Sequence, residues 1–508
     1  MINCICVLAM IAMSSVETTW QVRPTDEKYL VVSLVDESSE FLAAAEMLAE
    51  RHDAKIVNAA PGFDDKLLTE LQRLRPTTVA FVVHPNDLDI NLVQKILVLS
   101  TRIDADPFVD FAYGFITGRN GEAAVRLVKA SEKALVEPAI TMFGVGSAQM
   151  GKSFVQKAAW PLRGATIPMT TFYSAGDSDE TRDEKFVGDA MAKISKPPIL
   201  LLASHGYPNG LVGGPKASDL RGVDLSGSVV LNIACYNGVT CTWYVDDWGT
   251  MKVAKKSVTP EESLCLQVID SGVAGYVAWT CPRPAGPTMM GEAMLVASTG
   301  QSLGELRRSD ANSVVLAHLL SGESAVKADP MVEGTELKGG QTAGQAVRKM
   351  STGGVLIGDP AFIPFAEKPD TDPRTVEVTE KPDGLVVNAK VQTPLFHFFA
   401  GEQVNYWNDN EAAMRLETVV PLGDRVVSDV QLAKAPAGVT EYKLVAAVEH
   451  DRGKRFLKMK ITFAQPKDMM KLQAMSLKGL SGQFELTTSK GPASSEQDAR
   501  IFRRDSKK

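Results

Sequence analysis

Apolar runs and amphipathic segments alternate along the first part of the chain. Short runs rich in β-branched residues predict strands, and apolar residues spaced three and four apart predict helices. In chain order the expected elements are strand 29–35, helix 40–51, strand 55–57, helix 67–74, strand 78–83, strand 111–116 and helix 122–135. This alternation indicates a parallel α/β layer structure with right-handed crossovers.

The same alternation continues up to Phe365 and predicts a second α/β unit. Its expected strands are 139–143, 166–172, 199–203, 229–234 and 275–280, and its expected helices are 261–269 and 291–320. The two units, residues 25–135 and 136–366, are predicted to form a three-layer sandwich with mainly parallel sheets.

The pattern changes beyond a polar, proline-bearing linker at 367–373. Strand patterns now follow one another without helices, and two hairpins are expected: 375–379 with 385–391, and 442–448 with 456–463. An all-β, immunoglobulin-like sandwich is therefore predicted over 374–490. The polar residues 491–508 predict a loose tail.

Two of the apolar runs end in residues suited to acyl transfer. The run 199–203 leads to His205 and Gly206, and the run 229–234 leads to Cys235. If both runs are neighbouring parallel strands, the imidazole and the thiol emerge side by side at the carboxyl edge of one sheet. His205 could then take the proton of the thiol, and the N–H groups of Gly206 and Cys235 could stabilise an oxyanion.

A plainer interpretation of these residues stays open. A cysteine at a strand end is often only a small hydrophobic residue, and His-Gly is common where a loop begins. Asn237 and Gly238 predict a tight turn that keeps the sulfur of Cys235 at an exposed corner.

Composition narrows the classes of function. With 508 residues, 44% hydrophobic and 23% charged, the chain is expected to be globular with two or three cores. A net charge of −7 argues against nucleic acid and favours a small-molecule or protein substrate; for a peptidase, the substrate is a peptide or protein. The six cysteines show no CxxC spacing and no HExxH motif is present, so no metal, cofactor or disulfide framework is expected.

The start of the chain is apolar and ends in small residues, which predicts an export signal over 1–20. A charged region before the apolar stretch is missing, so a mis-assigned start or a buried segment is the alternative. An export signal would favour a secreted or cell-envelope location. No other apolar run approaches the roughly 20 residues of a membrane span.

The pair His205-Gly206, followed later by Ala234-Cys235-Tyr236-Asn237-Gly238, resembles the gingipain family of caspase-fold (clan CD) cysteine peptidases. Gly118-Arg119 before a helix and Gly358-Asp359-Pro360 are similar to further segments of that family, in the same order. The resemblance implies a caspase-like fold, Cys235 as nucleophile and His205 as general acid and base. It also implies that the N–H groups of Gly206 and Cys235 form the oxyanion hole.

The sequence gives weaker indications of which P1 residue a substrate would need. The best-known members of the family select Arg or Lys through acidic residues, and the acidic residues available here are Asp177, Asp246, Asp247 and Glu261. Such residues are more often solvated loop positions. The resemblance places the substrate pocket beside Trp279, Thr280 and Arg283, and an inward-facing Arg283 would favour an acidic or neutral P1 residue.

Two other motifs compete with the thiol and imidazole. Residues 146–153 match the P-loop pattern, with Lys152 facing phosphates and a helix expected after it, but no apolar run ending in an acid follows to hold Mg²⁺. Residues 300–304 fit a GxSxG pattern, but Ser302 with Glu305 is better explained as a capping box. The hypotheses are a cysteine endopeptidase acting through a thioester, a catalytically silent caspase-fold binding or sorting protein, and a P-loop NTPase.

Overall fold

The structure is a computed structural model. It describes residues 28–60, 65–135, 137–145, 152–162, 165–176, 178–245, 252–281, 296–297, 300–320, 322, 326–327, 330–336, 354–365, 374–391, 413–464 and 480–506. The predicted export signal at 1–20 and the linker at 367–373 lie outside these residues.

Strands and helices alternate in the α/β region. Its strands are β1 (Tyr29–Ser33), β2 (Lys55–Asn58), β3 (Thr78–Val82), β4 (Ala112–Ile116), β5 (Ile140–Val145), β6 (Phe154–Leu162), β7 (Ala165–Ser174), β8 (Ile199–Ala203), β9 (Gly206–Tyr207), β10 (Gly210–Leu211), β11 (Val229–Asn232), β12 (Trp243–Val245), β13 (Lys255–Ser257), β14 (Gly275–Trp279) and β15 (Gly354–Gly358). Its helices are α1 (Leu42–His52), α2 (Asp65–Leu74), α3 (Ile90–Ser100), α4 (Gly121–Ala130), α5 (Glu184–Lys193), α6 (Leu264–Asp270) and α7 (Leu303–Leu320).

One large sheet organises this region. Among the described residues it has eleven strands, in the order β2-β1-β3-β4-β15-β14-β11-β8-β5-β7-β6. Its antiparallel neighbours are β14 with β15 and β6 with β7, whereas the other neighbouring pairs are parallel. The prediction of a mainly parallel α/β sheet is confirmed. Because β15 lies beside β4, the two predicted α/β units share one sheet.

Helices cover both faces of this sheet. Along the fully buried β3, Phe81 packs in a cluster with Leu71 of α2, whereas its neighbour Ala80 packs in a second cluster with Ala44 of α1. Successive residues of a strand point to opposite faces, so this division places helices above and below the sheet. No described helix is long and apolar enough to cross a membrane.

The described residues of the C-terminal region form strands and one short helix. Its strands are β16 (Arg374–Lys381), β17 (Gly384–Val391), β18 (Ala413–Pro421), β19 (Arg425–Lys434), β20 (Lys443–Asp451), β21 (Lys454–Ala464), β22 (Leu480–Lys490) and β23 (Ile501–Asp505), and α8 is Ser495–Asp498. They form two antiparallel sheets, β16-β17-β22-β19 and β18-β21-β20-β23, around one apolar core. Both expected hairpins are confirmed. The immunoglobulin-like assignment stays a prediction.

The predicted loose tail at 491–508 is wrong over much of its length. Ser494 begins α8 with a capping box to Gln497, and β23 pairs along β20. Phe502 is only 6% exposed and belongs to the core of the sandwich. A polar composition misleads here because β20 supplies the backbone hydrogen bonds that a short strand cannot make alone.

Candidate functional site

The strands that precede His205 and Cys235 are direct neighbours. In the parallel pair β8 and β11, Leu202 lies opposite Asn232, and the N–H of Ile233 donates to the carbonyl of Leu202 at 3.0 Å. The two strands are buried almost throughout. Since neighbouring parallel strands end at the same edge, both following loops leave the sheet there, as the sequence predicts.

Beyond the strands, the two loops are in direct contact. A Cβ atom added to Gly206 would lie 2.5 Å from the Cβ of Ala234 and 2.9 Å from the carbonyl oxygen of Cys235. His205 is exposed and Cys235 is half-buried. The structure therefore brings the loop that carries the predicted base and the predicted oxyanion-hole glycine against the turn that carries the predicted nucleophile.

The loop that carries His205 is a fixed hairpin. Strands β9 and β10 pair with each other, and the hydroxyl of Ser204 donates to the carbonyl of Val212 at 2.9 Å. The N–H of Val212 donates back to the carbonyl of His205, also at 2.9 Å. The N–H of Leu264, the first residue of α6, binds the carbonyl of Pro208 at 2.8 Å. These bonds fix the backbone on both sides of the imidazole.

The turn that carries Cys235 is held by the neighbouring strand β14 and the residues after it. The N–H of Gly238 donates to the carbonyl of Trp279 at 2.8 Å, and the N–H of Tyr236 donates to the carbonyl of Cys281 at 3.3 Å. Tyr236 adopts a left-handed backbone with φ of +62°. Its buried hydroxyl donates to the carbonyl of Val245 at 2.5 Å, which holds the residue in this uncommon conformation.

Asn237 has a role that the sequence did not reveal. Its side-chain amide donates to the carbonyl of Tyr207 at 2.5 Å and to the carbonyl of Gly210 at 3.2 Å. Both acceptors belong to the His205 hairpin, so this side chain links the two loops. The tight turn expected from Asn-Gly explained only the backbone. The sequence does show an asparagine two residues after Cys235. It does not show that the amide binds carbonyls about 30 residues earlier in the chain.

The other described cysteines lie in different surroundings. Burial raises the pKa of Cys241 to about 11 and raises the pKa of Cys265 well above its usual value. Cys281 is 1% exposed. The four described cysteines form no disulfides with one another. Of these four, Cys235 follows β11 on a turn that contacts the His205-Gly206 loop, which makes it the best candidate nucleophile among them.

The residues expected to shape a substrate pocket are only partly described. Trp279 and Thr280 are 5% and 4% exposed, and Trp279 packs in an apolar cluster with Val245 and Met331. Glu261 is exposed and pairs with Arg119 at 3.5 Å. The remaining expected residues lie outside the described part of the chain: Arg283, Asp177, Asp246 and Asp247. The pocket assignment stays a prediction.

Among the described residues, the structure does not show the helix that should follow a P-loop. Residues 146–151 lie outside the described residues, but Phe154–Leu162 forms strand β6 and not the expected helix. A P-loop binds phosphate at the N-terminus of the helix that follows it, and a strand offers no such end. The hydroxyl of Ser153 is engaged with the carboxylate of Asp183 at 2.7 Å.

The GxSxG pattern at 300–304 marks the start of a helix, as expected. Helix α7 begins at Leu303, and the N–H of Glu305 donates to the hydroxyl of Ser302 at 3.2 Å. Ser302 is 9% exposed, so its hydroxyl serves as a helix cap.

Within the described part of the chain, one group of side chains has donor atoms close enough to surround a cation. Ligand atoms of Asp104, Asp106 and His450 all lie within 4.8 Å of one another, where the α/β region meets the sandwich. Asp106 already accepts hydrogen bonds from the N–H groups of Phe108 and His450, at 2.8 and 2.6 Å. These bonds give the group a role in joining the two regions.

No protein-family model matches the sequence, and no curated protein matches it. One solved structure that the chain resembles is a complex of the pro- and mature domains of RgpB from Porphyromonas gingivalis. The match has 9% sequence identity, covers 85% of this chain and 93% of that chain, and has a TM-score of 0.39. A TM-score this low does not establish a relationship between the two proteins, so the family resemblance of the motifs stays a prediction.

Proposed function

We propose that this chain is a cysteine endopeptidase that hydrolyses peptide bonds with Cys235 as nucleophile and His205 as general acid and base. One observation carries the proposal: the His205-Gly206 loop and the Cys235 turn are in contact at the carboxyl edge of two neighbouring parallel strands. Reactive side chains on loops at such an edge are held by a rigid scaffold and remain open to a substrate.

In the proposed mechanism, His205, Cys235 and two backbone N–H groups would together provide what acyl transfer by a thiol requires. The imidazole of His205 takes the proton of Cys235, and the thiolate sulfur attacks the carbonyl carbon of the peptide bond. The N–H groups of Gly206 and Cys235 donate to the resulting oxyanion. The C–N bond then breaks, His205 gives the proton to the leaving amine, and a thioester remains on Cys235. Water, deprotonated by His205, attacks the thioester and releases the acid and the thiol.

The further features of the proposal come from the resemblance of the motifs to gingipains, from the strand pattern after the linker, and from the apolar start of the chain. These features are a caspase-like fold, an immunoglobulin-like C-terminal sandwich, a secreted or cell-envelope location, and a substrate pocket beside Trp279, Thr280 and Arg283. A peptide or protein is the substrate class, and the proposed chemistry requires no cofactor.

Cleavage of a peptide library by the wild type and by the Cys235→Ala and His205→Ala variants tests the proposal. Each substitution should remove turnover, and Cys241→Ala, which removes a half-buried thiol outside the proposed dyad, should keep it. Turnover that survives in both dyad variants would contradict the proposal. A wild type that cleaves nothing, with Cys235 as slow to alkylate as Cys265, would favour the catalytically silent binding or sorting protein.

A further inference from the structure

A chain of buried polar groups runs beneath the proposed dyad. We infer that Asn237 is a positioning residue that sets the distance between the imidazole of His205 and the sulfur of Cys235. The inference rests on the proposed function, because it concerns the geometry of that dyad. Asn237 itself would touch no substrate, since it is completely buried.

The side chain of Asn237 bridges two segments that are far apart in the sequence. Its amide nitrogen binds the carbonyls of Tyr207 and Gly210, which belong to the opposite arms of the hairpin that follows His205. A Cβ on Gly206 would lie 3.0 Å from the amide oxygen of Asn237, so the side chain also packs directly below the predicted oxyanion-hole residue. One amide thus fixes the hairpin at three positions.

The backbone of Asn237 is fixed from the other side by Tyr276 on β14. The Tyr276 hydroxyl donates to the carbonyl of Asn237 at 2.8 Å and accepts from the side-chain amide of Asn232 at 2.9 Å. The side-chain oxygen of Asn232 accepts from the N–H of Ala234 at 2.9 Å. Burial raises the pKa of Tyr276 well above its usual value, so its hydroxyl keeps the proton that it donates.

This chain of bonds determines both sides of the dyad together. Asn232 shapes the exit from β11 before Cys235, Tyr276 holds the turn after it, and Asn237 carries the constraint across to the hairpin of His205. The side-chain oxygen of Asn237 is buried without a hydrogen-bond partner, so the amide is held by the two bonds of its nitrogen and by packing under Gly206. Proton transfer needs its donor and acceptor within hydrogen-bond reach, so a small displacement of the hairpin should lower the rate strongly.

The inference predicts how the reactivity of Cys235 depends on pH. The probe is iodoacetamide, and the rate of alkylation at Cys235 is followed by peptide mapping between pH 5 and 10 in the wild type, His205→Ala, Asn237→Ala and Asn312→Ala. Asn312 is a matched control, because it is also a buried asparagine with side-chain hydrogen bonds but contacts the sandwich through Glu449. Thermal unfolding of each variant is measured in parallel.

The alkylation midpoint is the pH at which the alkylation rate of Cys235 reaches half its maximum. We expect the wild-type midpoint to lie below the value for an ordinary thiol, which is about 8.5. It should shift upward in both His205→Ala and Asn237→Ala and stay unchanged in Asn312→Ala. With a cleaved peptide, kcat of Asn237→Ala should fall about 100-fold, while KM stays within about twofold. A loss of stability alone would not produce this split.

The two levels of the proposal fail in different ways. If His205→Ala leaves the midpoint unchanged, the dyad itself is wrong and the positioning role falls with it. If His205→Ala shifts the midpoint and Asn237→Ala does not, the dyad stands and the positioning role is overturned. Should Asn237→Ala not fold, Tyr276→Phe removes only the hydroxyl that holds Asn237, and it must show a smaller shift in the same direction or the inference is wrong.

Discussion

Gly206 and Ala234 lie so close together that position 206 has no room for a side chain. A Cβ there would meet the Cβ of Ala234 at 2.5 Å. Gly206→Ala should therefore push the His205 hairpin away from the Cys235 turn. We expect kcat/KM for peptide cleavage to fall at least about 100-fold, because catalytic geometry is lost with small displacements. The stability cost should be about 1–3 kcal/mol, as for other overpacked sites.

Gly188 provides the matched control for this substitution. It lies in α5, and an added Cβ would meet nothing within 4 Å. Gly188→Ala should leave peptide cleavage unchanged and stabilise the protein by about 1 kcal/mol, since alanine favours a helix over glycine. Equal activity in Gly206→Ala and Gly188→Ala would show that the contact between the two loops does not matter for catalysis.

Asp359, which follows β15, links the end of that strand to β1 and α1. Its buried carboxylate accepts hydrogen bonds from the hydroxyl of Tyr29 at 2.9 Å and from the ring of His52 at 2.8 Å, and it pairs with Arg51 at 3.3 Å. Asp359→Asn should lower the free energy of unfolding by about 2 kcal/mol at neutral pH, because it weakens the charge-assisted bonds to His52 and Arg51, although Arg51 keeps Glu132 at 3.1 Å. Denaturant unfolding measures this loss.

The pH dependence of the same variant follows from the pKa of Asp359. Burial opposes ionisation, but hydrogen bonds from His52, Ala361 and Tyr29 outweigh it and hold the pKa below its usual value of 3.8. A lowered pKa stabilises the protein above the unfolded value, and this contribution is lost as the pH falls through the folded value. The wild type and Asp359→Asn should therefore converge in stability in acid. A constant difference down to pH 2 would contradict this explanation.

Arg308 of α7 links the α/β region to the sandwich through ion pairs with β20. It is 4% exposed and pairs with Glu449 at 3.0 Å and with Asp451 at 3.1 Å. Arg308→Met should destabilise the protein by about 3 kcal/mol, since the buried carboxylate of Glu449 loses one of its two cationic partners and keeps Lys458 at 3.0 Å. Arg126→Met, which removes an exposed helix pair with Glu122, should cost less than about 0.5 kcal/mol. Comparable losses in the two variants would rule out a special role for Arg308.

Asp110 should make the stability of the protein fall as the pH rises between its unfolded pKa of 3.8 and its folded pKa of about 9. Burial and the nearby charges of Asp104 and Asp106 raise its pKa from 3.8 to about 9. A carboxyl with a raised pKa contributes its full stability below the unfolded value, and the contribution is lost as the pH rises toward the folded value. Asp110→Asn keeps the side chain neutral, so it should remove part of the stability loss between pH 5 and 9.

Urea unfolding at pH 5, 7 and 9 measures this effect. The variant keeps an oxygen that can accept from the N–H of Ile103, which the wild type binds at 3.1 Å. Asp224→Asn is the control, because this residue is exposed and binds only its own loop and Lys196. An unchanged slope of stability against pH in Asp110→Asn would contradict the role of this carboxyl.

The hydrophobic pattern predicted the strands that position the site, because β8 and β11 are short, continuous apolar runs. It did not predict α3, which is buried on nearly all sides and so lacks a polar face. It also did not predict β6, an edge strand with exposed side chains that pairs with β7 alone. The first is apolar around most of its surface, and the second mixes polar with apolar residues.

For the site, the sequence identified the residue types with the required chemistry but not what holds them in place. His205 and Cys235 each follow an apolar run, and such positions can be recognised in the sequence alone. The bonds of Asn237 to Tyr207 and Gly210 depend on a hairpin that forms only when the sheet is complete. Long-range contacts of this kind are not encoded in local spacing.

Acid-quenched intact-mass spectrometry during peptide turnover tests the central claim most directly. The account predicts an acyl fragment of the peptide bound to Cys235, located by peptide mapping, and absent from both Cys235→Ala and His205→Ala. Peptide hydrolysis that continues in Cys235→Ala, with no acyl group on the wild-type thiol, would contradict it.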